Sequence, residues 1–136
     1  VWGMSPSSDP DGTYSEFGVK PLGAKGYKAG VVTPHAAVLG LEFAPKETVQ
    51  NLRELIRRYP IYGEYGFYDA VTVRTGRVAR KYLSLDQAMI FITLNNYLND
   101  GAIRKRFGAD PINEKALALL QNEKFFAKAE AQTVGT

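Results

Sequence analysis

Apolar residues recur at spacings of three and four from Lys46 to Tyr59, at Val49, Leu52, Ile56 and Tyr59, while Glu47, Arg53, Glu54, Arg57 and Arg58 lie mostly elsewhere around the turn. That period predicts an amphipathic helix with one buried face. Pro45 restarts the chain into it and Pro60 ends it, because proline suits a first turn but lacks the amide hydrogen a helix interior needs. A shorter apolar helix is predicted just before, with Thr33 as cap, Pro34 in the first turn and Ala36 to Leu41 buried. A third begins at Ser84, where Gln87 three residues later has the spacing of a capping box. Its run Ala88 to Ile92, then Leu94, Tyr97 and Leu98, is apolar on nearly every side. Such a helix needs cover on nearly every side, and this chain offers few elements to supply it. With an interruption at Asn99 to Gly101, the helix is extended to Phe107 before Gly108, and Asp110-Pro111 caps a last helix to about Lys128. Residues 129–136 read as a loose tail.

The pattern differs between the second and third helices. Ala70 to Val73 and Val78 to Tyr82 flank Arg74-Thr75-Gly76-Arg77, whose glycine suits a turn position with positive φ, so a β-hairpin is predicted at about residues 66–82. Alternation puts Phe67, Asp69 and Val71 on one face and Tyr68, Ala70 and Thr72 on the other, which leaves Asp69 among apolar neighbours. Residues 1–32 show neither period and read as a Gly- and Pro-rich loop, anchored by Trp2, Tyr14, Phe17 and Tyr27. The fold class is therefore mainly α, with residues 33–128 forming a helical portion that carries one β-hairpin.

Composition narrows the class of protein. The chain has 136 residues, 45% of them hydrophobic, enough for one modest core. No apolar run approaches the roughly 20 residues that span a bilayer, so no membrane is expected as partner. The net charge of +3 is small, and the basic stretches Arg74 to Lys81 and Arg104-Lys105-Arg106 look like solvated surface, so no nucleic acid is expected either. Without cysteine there is neither disulfide nor thiol chemistry. The chain opens Val1-Trp2-Gly3 with no visible leader, which suggests a piece of something longer.

Motifs of strict spacing for phosphate, dinucleotide, zinc or serine-nucleophile chemistry are absent. The single histidine, His35, reads as a buried structural residue, and one histidine excludes a histidine-cluster metal site. Asp9-Pro10-Asp11-Gly12 has the start of a calcium loop, but Gly18 stands where the bidentate acid would be, which leaves an Asx-type turn. The most informative stretch is Tyr62 to Asp69, Tyr-Gly-Glu-Tyr-Gly-Phe-Tyr-Asp, with aromatic rings and two acids between glycines. Rings can stack on the apolar face of a sugar while acids bond its hydroxyls. A half-buried strand is the alternative. Carboxylates available for acid and base roles are Asp9, Asp11, Glu16, Glu42, Glu64, Asp69 and Asp86. Asp86 also suits the N-terminus of its helix, whereas Asp69, on an apolar face, needs a partner or a raised pKa.

Trp2-Gly3-Met4-Ser5, Asp9-Pro10-Asp11-Gly12, Phe17-Gly18, Thr33-Pro34-His35-Ala36-Ala37, Phe43-Ala44-Pro45, Tyr65-Gly66-Phe67-Tyr68-Asp69-Ala70 and Tyr82-Leu83-Ser84-Leu85-Asp86-Gln87 occur in this order. Together they resemble the glucoamylase-like domain of bacterial β-1,2-glucanases (glycoside hydrolase family 144) and cyclic β-1,2-glucan synthases, over Trp2 to about Phe107. The resemblance implies the C-terminal part of an (α/α)6 toroid, an N-terminal part as its missing partner, no metal or organic cofactor, and export of the parent protein to the periplasm or exterior. It also implies a glucan or oligosaccharide cleft lined by the Trp2 to Phe17 loop, the Tyr65 to Asp69 block and Asp86-Gln87. Within that cleft Trp2, Tyr14, Tyr65, Phe67 and Tyr68 would stack, Asp9, Asp11, Asp86 and Gln87 would grip hydroxyls or water, and Asp69 is the first choice of catalytic carboxylate. Pro6, Ser8 and the basic hairpin depart from the usual pattern. The leading expectation is a fragment of a β-glucan hydrolase. The alternatives are a non-catalytic or chain-length-controlling glucan module and a helical interaction domain. The isolated chain is expected to be inactive and to self-associate through exposed apolar surface.

Overall fold

In the computed structural model, which describes residues 1–17 and 30–120, the chain divides after Gly101 into two units. The first opens with β1 (Ser7–Ser8) and β2 (Tyr14–Ser15), paired antiparallel. Next come β3 (Val31–Val32), α1 (Pro34–Val38), a 3-10 turn (Leu39–Glu42) and α2 (Pro45–Arg58). Two hairpins follow, β4 (Tyr62–Gly63) with β5 (Gly66–Phe67), and β6 (Ala70–Thr72) with β7 (Arg77–Ala79). The helix α3 (Ser84–Leu98) closes the unit. The second unit carries α4 (Ala102–Gly108) and α5 (Pro111–Leu120). The architecture is mainly α, as expected.

The predicted hairpin exists as β6 and β7, joined by a turn in which Gly76 has φ +70°. It is not alone. Val31 pairs with Thr72 and Val32 with Val71, so β3 adds a third antiparallel strand from the segment read as loop. The aromatic block forms its own hairpin around Gly66, at φ +105°. A bend at Asp69 separates the two hairpins, so the predicted alternation from Phe67 to Thr72 is broken. Val71, with Phe67 and Tyr68, packs against Val32, Leu55 and Ile61, while Ala70 turns to Val31, Ala79 and Phe17.

The helices follow the predicted spans with local corrections. Thr33 precedes α1 in extended backbone but makes no capping bond, and its buried hydroxyl has no partner among the described residues. The apolar run to Leu41 is not one helix, because α1 tightens into the 3-10 turn after Val38. In α2 the buried positions are Thr48, Asn51 and Leu55, one residue round from the predicted stripe, leaving Val49 and Ile56 exposed. No capping box starts α3: Leu83 occupies the cap position, and the Gln87 side chain donates from Nε2 to the Phe67 carbonyl at 2.9 Å. Positive φ at Asp100 and Gly101 ends α3 and separates α4. Asp110 does cap α5, accepting the Ile112 amide hydrogen at 2.9 Å. The predicted end of the last helix beyond residue 120, the tail 129–136 and the loop anchor Tyr27 lie outside the described residues.

The most unusual element is α3, which is inverted. It buries Asp86, Thr93 and Asn96 and exposes Leu85, Phe91 (64% exposed) and Leu98 (72%). Transfer energetics would place these groups the other way round. The polar inward face of α3 packs on α1 and the 3-10 turn, and it is this face that builds the site.

The first residues strap α1 onto α2. The Trp2 amide donates to Asn51 Oδ1 and Asn51 Nδ2 donates to the Trp2 carbonyl, both at 2.8 Å. The Thr33 amide donates to the Gly3 carbonyl at 3.1 Å. Gly3, at φ +123°, has no room for a side chain, since a Cβ there would stand 2.7 Å from the Thr33 carbonyl oxygen and 2.8 Å from Ala37 Cβ. Replacing Asn51 with Ala strips both bonds from Trp2 and leaves its polar groups unpaired. We expect a loss of about 1–2 kcal/mol in urea denaturation; an unchanged midpoint would show that the strap contributes nothing.

Candidate functional site

Three elements and one bend converge on a buried polar cluster. The bend between β5 and β6 supplies Asp69, 1% exposed, whose own amide donates to the Lys81 carbonyl at 3.0 Å. From α1 comes His35, and from the inward face of α3 comes Asp86, 3% and 5% exposed. Beside them β1 donates the Ser8 amide hydrogen to Asp69 Oδ2 at 2.8 Å. His35 Nδ1 stands 3.5 Å from Asp86 Oδ1. One nitrogen or oxygen from each of the three side chains lies within 4.8 Å of the other two. His35 Nδ1, Asp69 Oδ1 and Asp86 Oδ2 are buried without a hydrogen-bond partner among the described residues.

The electrostatics follow from burial. Desolvation raises the Asp86 carboxyl to about 7, and the charge of Asp69 and a hydrogen bond to it add to the rise. Burial lowers the His35 imidazole, with the Asp69 charge pulling the other way. Below neutrality Asp86 keeps its proton, while burial biases the imidazole towards its neutral form. Such a set can hold and pass a proton, and by its donor atoms it would also fit a cation. Counting histidines in the sequence misses that second possibility, because carboxylates supply the remaining donors.

Tyr14, at the surface, lies within the field of this cluster. Its ring is 57% exposed, and its phenol is raised by burial and by the charges of Asp69 and Asp86. An aromatic shelf is built by the Tyr62 to Asp69 block. Tyr62 meets Phe67 edge-on at 5.0 Å, Tyr65 meets Tyr82 edge-on at 5.4 Å, and Tyr68 tilts over Tyr82 at 4.8 Å. The Arg80 guanidinium sits 5.8 Å from the Tyr68 ring centre. A hydrogen bond with Tyr82 raises the Tyr68 phenol. Gly63 lies beneath these rings, where a Cβ would collide with both the Tyr82 and the Tyr68 hydroxyls.

The structure brings together Asp69 and Asp86, sets Tyr14 within the field of their charges, and groups Tyr65, Phe67 and Tyr68 on the shelf, with Gln87 tying α3 to Phe67. Other predicted residues have local partners. Asp9 closes an Asx turn, its Oδ1 accepting the Asp11 and Thr13 amide hydrogens at 3.0 Å. Asp11 pairs with Arg77 across to β7. Trp2 lays its ring against Gly40, where a Cβ would stand 2.9 Å from Trp2 Cη2. Sequence reasoning did not select Ser8, His35, Tyr82 or Arg80. His35 gave one usable signal, an ionisable side chain in the first turn of an otherwise apolar helix.

The chain is similar to several known proteins. Residues 1–111 match the Glycoamylase family model, "Putative glucoamylase". The cyclic β-(1,2)-glucan synthase NdvB of Rhizobium meliloti (strain 1021) is 32% identical over 98% of this chain, and the match covers 6% of the synthase. The exo β-1,2-glucooligosaccharide sophorohydrolase of Parabacteroides distasonis is 26% identical over 70% of this chain, which corresponds to 13% of that enzyme. The endo-β-1,2-glucanase of Chitinophaga pinensis, solved with sophorotriose and glucose, superposes with a TM-score of 0.71 at 28% identity. That superposition takes in 88% of this chain and 28% of the glucanase. The chain thus spans a small part of the length of its curated relatives.

A raised carboxyl makes stability depend on pH with a definite sign. Below about pH 4 Asp86 is protonated in both folded and unfolded chains. As pH rises towards 7 the unfolded chain releases that proton and the folded one keeps it, so stability falls across this window and levels off above it. The loss is on the order of a few kcal/mol. Asp86→Asn should flatten that part of the stability curve, measured by denaturation between pH 4 and 8; parallel curves for the two proteins would refute the assignment.

Proposed function

We propose, from the premise that this chain belongs to the Glycoamylase family, that it forms one wall of a β-glucan cleft in a longer glycoside hydrolase-like enzyme. The observation that carries the reading is Tyr14, an exposed ring within the field of two buried carboxyl groups. It joins a surface suited to stacking a sugar to groups able to take up a proton. Relatives named for β-1,2-glucan chemistry support the substrate class.

In this scheme Tyr14, Tyr65 and Tyr68 stack on pyranose rings, with Phe67 supporting the shelf from its half-buried position. Asp69 accepts a proton from the water that attacks the anomeric carbon, while the leaving oxygen is protonated by an acid outside this chain. Asp86 holds the neighbouring proton, Gln87 fixes the Phe67 carbonyl, and Asp9 and Asp11 shape the turn that presents Tyr14. Trp2 extends the sugar surface towards α2. Asp69 is 1% exposed, so water reaches it past the Tyr14 hydroxyl or after the β1–β2 hairpin shifts. The outward apolar face of α3 is covered by the N-terminal part of the toroid, and the parent protein is exported.

A second reading is favoured by that same burial: the wall holds glucan without cleaving it, as a binding or chain-length-controlling module would. Asp69→Asn in the full-length protein should lower release of reducing ends from β-1,2-glucan by roughly a hundredfold or more, with the fold intact by circular dichroism. Undiminished turnover would remove Asp69 from the mechanism, and binding without new reducing ends would establish the second reading. The isolated chain should self-associate, its scattering mass rising with concentration, and Leu98→Lys together with Phe91→Lys should restore a monomer. A wild-type monomer at all concentrations would show that α3 needs no cover.

A further inference from the structure

Two carboxyl groups buried side by side cannot both carry full charge, so the question is which one keeps the proton. Geometry sorts them. Asp69 Oδ2 accepts the Ser8 amide hydrogen at 2.8 Å, a bond that favours the charged form. Asp86 Oδ2 is buried without a donor, and its Oδ1 faces His35 Nδ1 at 3.5 Å. The imidazole is itself 3% exposed and its Nδ1 has no other partner among the described residues. We propose, resting on the catalytic reading of Asp69 above, that His35 and Asp86 are positioning residues that hold one proton beside Asp69 and leave Asp69 the ionised member of the pair.

The titratable groups that face the pair are Tyr14 from β2, His35 from α1 and the two acids themselves. Burial keeps His35 neutral, so it can accept from an Asp86 hydroxyl but does not neutralise the pair with its own charge. A carboxylic proton between Asp86 and its two neighbours also gives the orphaned atoms a shared donor. The competing occupant is a divalent cation held by the same three side chains. One oxygen from each carboxyl lies within 4.8 Å of the other, close enough for a single proton to serve both acids.

His35 is the only histidine in the sequence, so nitrogen-15 histidine spectra of the chain read this ring alone. We expect an imidazole held towards its neutral form whose ring shifts follow a transition near pH 7, lost in Asp86→Asn. An ordinary histidine titration near about pH 6.5 in both proteins would overturn the proposal. So would an Asp86-dependent shift of the ring on adding one equivalent of Zn²⁺ or Ca²⁺. In the full-length protein His35→Ala should displace one limb of the kcat/KM pH profile by about one unit with little change in KM, and His35→Gln, which keeps a hydrogen-bonding group, should recover part of it. Active variants with an unaltered profile would also overturn it. Absence of hydrolysis in every protein, with the spectral coupling intact, would defeat the catalytic reading and still support the shared proton.

Discussion

Asp69 can sit 1% exposed only because the chain compensates it, and the compensation comes from far away in sequence. The Ser8 amide that bonds it lies 61 residues earlier. Asp86 and His35 reach it from two helices, and the Lys81 carbonyl holds its own amide. Supplying those partners requires β1 to lie against the bend before β6, and α1 to lie between α2 and the inward face of α3. The arrangement of the first unit is therefore largely the arrangement that surrounds one carboxylate, giving its Oδ2 the Ser8 amide and leaving its Oδ1 against the buried polar cluster. Leu55, Ile61, Val32 and Val71 provide the apolar burial that offsets its cost.

The inverted face of α3 belongs to the same economy of space. A soluble helix normally turns Asp, Thr and Asn outward, yet here Asp86, Thr93 and Asn96 are the buried members and Phe91 and Leu98 face out. The inward face serves the acid cluster, while the outward face leaves its apolar side chains exposed.

Much of the fold was readable because local rules and tertiary packing agree. The helix at Pro45–Arg58, the hairpin with Gly76 and the Asp110 cap each carry their own short-range signal. The strands β1, β2 and β3 do not, since two residues make no period and their pairing is set by partners elsewhere. The register of α2 was misjudged by one residue because Thr48 and Asn51 are buried to meet Gly40 and Trp2, a requirement that hydrophobicity does not encode. The site divides in the same way. Asp69 and the aromatic shelf were legible from a dense local motif. His35 was not, because its role depends on an acid that lies 51 residues later in the sequence and meets it only through packing.

The straps described at Trp2 and Ser8 also set an order of events. Trp2 meets Asn51 across 49 residues, and Ser8 meets Asp69 across 61. Contacts of such separation carry a large loop-closure entropy and slow the folding of a domain that depends on them. On a ribosome the acid cluster cannot be complete until Asp86 has emerged, long after the segment that seals it. Strands β1 and β2 can pair with each other at once, but the surfaces that receive Trp2 and Ser8 are made only when Asn51 and Asp69 follow.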